Sequence, residues 1–164
     1  MELTAEHYYR AGLERMAQAR LLYEAGKGNY AFTLYAAGLA VECILRAFRW
    51  RTAPSFEGRH DLLELFRASG LLAIDDARMQ ARGVPPEEAT RYALELRGAM
   101  NTVVVLWANN YRFAAEDRVR AHLNAIGRYK GKKGDVLKAN ALELLNAVQM
   151  MIDKGVALWT SAKK

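Results

Sequence analysis

The sequence predicts an all-α fold: an up-and-down bundle of four to five main helices with short extra helices between them. Apolar residues recur at intervals of three and four along most of the chain, and no segment shows the strict alternation of a half-buried strand. There are only three prolines, and abundant Ala and Leu favour helices. At 164 residues the chain suits one domain, 1–164, with a substantial core.

The first helix is expected over Glu6–Glu24, with Thr4 as N-cap and Tyr9, Gly12, Leu13, Met16, Ala19, Leu22 and Tyr23 on one face. Gly26 and Gly28 stop it, and Asn29 is placed to cap the next helix. So short a connection implies antiparallel packing. The second helix, about Tyr30–Arg51, is the most apolar and should be central. It holds one acid and one base, Glu42 and Arg46, among Val41, Ile44, Leu45 and Phe48. A helix that is apolar nearly all round is buried, and a buried carboxylate is costly unless paired. The i,i+4 spacing puts Arg46 in reach of Glu42, so the two are expected to form a structural ion pair.

A loop through Gly58 leads to a short helix, His60–Ala68, ended by Gly70. Residues 71–84 carry a weaker pattern and suggest a helical turn or two followed by loop. Pro85-Pro86-Glu87-Glu88 opens a helix running to about Trp107, with acids at the positive end of the dipole. Asn109-Asn110 ends it, and Arg118–Ile126 is expected as a short helix. After a basic loop, Asp135 caps a last helix. There Leu137, Ala141, Leu144, Val148, Met151, Gly155 and Leu158 alternate by four and three, the pattern of a two-helix seam.

Composition narrows the function. No apolar run of membrane-spanning length lacks a charge, because Glu42 and Arg46 interrupt the one long stretch. The opening MELTAEHYYR is polar and acidic, unlike a signal peptide, so a cytoplasmic location and no membrane contact are expected. Cys43 is the single cysteine, which excludes an internal disulfide; in a helix core it acts as a small hydrophobe. The net charge is +6, and of the 24 Lys and Arg and 18 Asp and Glu, 11 and 5 fall after residue 110. The first two thirds are therefore neutral, and the whole excess suits a surface facing an anionic partner.

Catalytic signatures are scarce. His7, His60 and His122 have no His or Cys at metal-ligand spacing, and neither GxxxxGK[ST] nor GxGxxG occurs, so no metal or cofactor is expected. His60 follows Arg59 and suits either a helix cap or a bond across to a neighbouring helix; its functional alternative is an anion partner with Arg59 and the Arg46/Arg49/Arg51 run. Flexible cations suit phosphate contacts, and aromatic rings stack on bases. On that ground Arg118, Arg120, His122, Arg128, Lys130, Lys132 and Lys133 form one group of ligand-binding candidates, accompanied by Tyr129. Asn109, Tyr111 and Arg112, beside Phe113, form the other.

These segments resemble the HEPN family. GNYAFTLYAAGLAVECILRAF is similar to its second helix, where a GxY turn precedes an apolar helix bearing Glu and, four residues on, Lys or Arg. Residues 8–30 look like the first HEPN helix, Arg59-His60-Asp61-Leu62-Leu63 resembles the H-x-L start of the third, and Trp107–Phe113 resembles the W-x(n)-RY segment. The likeness spans roughly residues 5–115. It implies a helical bundle that commonly dimerises, often beside a minimal nucleotidyltransferase, and in many members a metal-independent ribonuclease. Those ribonucleases carry R-x(4–6)-H. Here Arg97 is followed by Gly98-Ala99-Met100-Asn101-Thr102-Val103, so the imidazole that would move a proton at the 2′-hydroxyl is missing from that place.

The expectation is a non-catalytic homodimeric module that binds RNA, a nucleotide or a protein such as a nucleotidyltransferase. Two competing expectations are a divergent RNase using Arg112, Arg118 and His122, and a structural partner of a nucleotidyltransferase in a toxin–antitoxin or defence pair.

Overall fold

The computed structural model describes residues 2–54, 60–131 and 133–161, and among them the chain is helical with no strand. Four long helices make the frame: α1 (Ala5–Ala25), α2 (Tyr30–Thr52), α5 (Pro86–Leu106) and α7 (Val136–Ser161). Shorter ones fill the connections: α3 (Leu62–Ala68), α4 (Leu71–Ala81), a 3-10 turn (Asn109–Phe113) and α6 (Glu116–Ala125).

Local chemistry explains most of the boundaries. Thr4 caps α1 by accepting from the His7 amide, and the His7 ring accepts in return from the Thr4 amide at 3.1 Å. Gly26 and Gly28, at φ +85° and +88°, reverse the chain in a turn that other residues would strain to make. Asn29 occupies the cap position of α2 but does not use its side chain; its carbonyl instead accepts from the Thr33 amide and hydroxyl. Asp61 caps α3 through the Glu64 amide, so that helix starts two residues after His60. Asp135 caps α7 by accepting from the Leu137 and Lys138 amides.

α2 lies at the centre, against α1, α7, α3, α6 and the 3-10 turn. By length and composition α2 could cross a membrane, but 72% of its most apolar window is buried among the other helices. Two close approaches fix it. Ile44 is pressed between Gly12 of α1 and Gly155 of α7, where an added Cβ would stand 2.8 and 2.7 Å from the Ile44 side chain. The Trp107 ring lies on Gly38, where a Cβ would come within 2.0 Å, and its Nε1 donates to the Tyr35 carbonyl at 3.1 Å. The seam residues of α7 from Leu137 to Leu158 are all buried.

Residues 71–81 form three turns of helix, more than their pattern suggested. The difference lies in Asp75, which sits on the inward face yet is buried, with Lys154 of α7 donating to it at 3.0 Å. A carboxylate that is inward only because a cation from another helix meets it breaks the local apolar periodicity. α5 ends at Leu106, and Asn109-Asn110 open the 3-10 turn rather than closing α5.

Candidate functional site

The buried acid of α2 has two partners among the described residues. Arg46 Nε donates to Glu42 Oε1 at 2.8 Å, and His60 Nδ1 lies 2.9 Å from both carboxylate oxygens. The Glu42 side chain is 3% exposed, Arg46 15% and His60 44%. An ionised carboxylate only accepts, so the bond assigns the proton to Nδ1 and turns Nε2 away from Glu42. His60 thus bonds across to a neighbouring helix, pinning the start of α3 to α2. Next to Glu42, burial and the carboxylate push the Cys43 thiol up to about 11, so it stays protonated and inert.

His60 also lines an open groove of about 590 Å³ with Asp61, Leu63, Val104, Trp107 and Asn109. The groove links this triad to the 3-10 turn. Asn109 Oδ1 is buried with no hydrogen-bond partner among the described residues. Tyr111 is buried too; desolvation pushes its hydroxyl up to about 12, and its ring meets the His122 ring edge-on at 5.7 Å. The two residues that follow turn outward: the Arg112 guanidinium lies 4.6 Å over the ring of Phe113, which is 79% exposed.

The basic residues divide in the same way. Arg120 is committed to Glu116 at 3.7 Å and Asp135 at 3.3 Å. Burial pushes the Asp135 carboxyl up, but the Lys138 amide and Arg120 outweigh it and hold the group below the ordinary aspartate range. Arg128 bonds to Asn140 at 3.1 Å and to the Glu143 carboxylate, tying the turn after α6 to α7. Arg118, Lys130 and Lys133 are exposed and make no ion pair among the described residues, while Lys132 lies outside them, as does Arg59. Arg118 and His122, four residues apart, stand on one exposed side of α6.

Of the ten candidate ligand residues, then, Arg112, Arg118, His122, Lys130 and Lys133 present side chains to solvent, and Asn109 lines the groove. Tyr111, Arg120 and Arg128 serve the fold: Tyr111 has no face open for stacking on a base, and the two arginines have their charges met. The close seat of Trp107 on Gly38 was not foreseen, since spacing along α2 carries no sign of which helix brings an indole to it.

The fold is thus a helical bundle built around a central apolar helix that carries a Glu–Arg pair. A family model, HEPN domain, matches residues 5–156, and the chain belongs to that family. No curated relative and no solved structure matches the chain.

Proposed function

We propose that this HEPN protein is a binding module for RNA or a nucleotide and acts through the surface formed by Arg112, Phe113, Arg118, His122, Lys130 and Lys133. One observation carries the reading: Arg118, Lys130 and Lys133 are exposed with no ion pair among the described residues, whereas Arg120 and Arg128 beside them are satisfied. Unpaired surface cations attract phosphate without precise spacing. Phe113, exposed beneath Arg112, offers a face on which a base can stack.

Anisotropy of a labelled single-stranded RNA over a salt series tests this. Each phosphate contact adds about 0.7 to the slope of log affinity against log salt, so changing Arg118, Lys130 and Lys133 together to Gln should flatten it by about 2. Salt-independent binding, or an unchanged slope in the triple variant, would count against the reading.

A divergent metal-independent RNase is the second reading, favoured by Arg118 and His122 standing a turn apart on one exposed side of α6. Cleavage in the presence of a chelator, lost in His122→Ala, would establish it over simple binding. A homodimer and a nucleotidyltransferase partner complete the proposal. Light scattering, and co-purification with such a partner, address these two associations.

A further inference from the structure

A separate cleft of about 420 Å³ opens where α3, the start of α4 and the middle of α5 meet. Phe66 and Met100 are buried beneath it, and Leu72 stands at its side. Among the described residues its polar side chains are Arg67, Arg97 and Asn101, and no acid lines it. Both arginines are exposed, and neither makes a side-chain hydrogen bond, ion pair or ring contact among the described residues. Other surface arginines are paired with acids on their own helices: Arg10 meets Glu6, Arg91 meets Glu88, and Arg120 meets Glu116. Arg67 lies in the last turn of α3, where the helix dipole favours a cation. Arg97 lies in the middle of α5, where no helix end holds it.

We propose that this cleft binds a phosphate monoester carrying a small aromatic or apolar ester group. Two guanidiniums facing one cleft repel each other until an anion joins them, and each presents a planar fork that matches phosphate oxygens. Their combined charge balances a monoester dianion, whereas a diester carries only one charge. The Asn101 amide adds a neutral donor, and the apolar floor receives the ester group, as in sites where a few polar groups orient a largely apolar ligand. No residue of the cleft belongs to the basic surface of α6 and the loop after it, so the inference does not depend on RNA binding.

Calorimetric titration of the full chain with phenyl phosphate tests it. Saturable one-to-one binding is expected, with Arg67→Gln and Arg97→Gln each weakening it about tenfold, the loss of one charge-assisted contact. The double variant should abolish binding while leaving the unfolding midpoint in place, because both side chains are exposed. Phenol should not bind. Failure of phenyl phosphate to saturate, or full affinity in the double variant, overturns the site. Equal or tighter binding of the singly charged diester methyl phenyl phosphate overturns the monoester assignment.

Discussion

The Glu42–Arg46–His60 cluster and the surface around α6 use the same side-chain types to opposite ends. In the first, one carboxylate 3% exposed takes up an arginine and a histidine, and its charge is consumed inside the bundle. In the second, Arg118, Lys130 and Lys133 face water and make no ion pair among the described residues. Burial separates the roles. An unmatched charge inside the protein costs several kcal/mol, whereas at the surface it costs little and remains available to a ligand.

The largest effect should come from breaking the interior cluster. Glu42→Ala removes the buried acceptor shared by Arg46 and His60, and is expected to lower stability by about 3–5 kcal/mol. Urea denaturation measures it, and an unchanged midpoint would show that the cluster does not hold α2. Gly38→Ala tests steric rather than electrostatic fixing of the same helix. Its methyl would overlap the Trp107 ring, so a loss of about 1–3 kcal/mol is expected, with near-ultraviolet dichroism reporting the displaced indole.

Asp135 lies on the border of the two regions. Its carboxyl is held below the ordinary value of 3.8, so it binds fewer protons folded than unfolded in that range. Its contribution is present in full above that value and is lost as pH falls through the lower folded value. Asp135→Asn should therefore flatten the acid limb of the stability profile below about pH 4 while leaving the slope near neutrality unchanged. The smallest effect is expected for Arg118, Lys130 and Lys133 changed together to Gln. Stability should shift by no more than about 0.5 kcal/mol, even though RNA affinity falls. A large loss of stability would erase the distinction between the two regions.

Much of the fold was legible because it depends on local periodicity. The α7 seam, the Thr4 and Asp135 caps and the Glu42–Arg46 pair all involve residues within a few turns of one another. What was not legible depends on contacts between distant segments. α4 looked weak because Asp75 interrupts its inner face, and its partner Lys154 lies 79 residues away. His60 could be placed at a helix start, but spacing could not single out Glu42, 18 residues before it, as the acceptor. The candidate site was legible in composition and not in allocation. The cations after residue 110 were plain, yet Glu143, Asn140 and Asp135 decide which are satisfied, and that requires α7 to lie against the turn and α6. Tyr111 looked suited to stacking until the turn folded it inward.

The contact of Trp107 with Gly38 also bears on descent. Neither position can change freely while the other stays as it is: a side chain at 38 needs a smaller ring at 107, and a smaller ring at 107 leaves a void that a methyl at 38 would partly fill. The two should be inherited as a pair across relatives, 69 positions apart in the chain but replaced together or not at all.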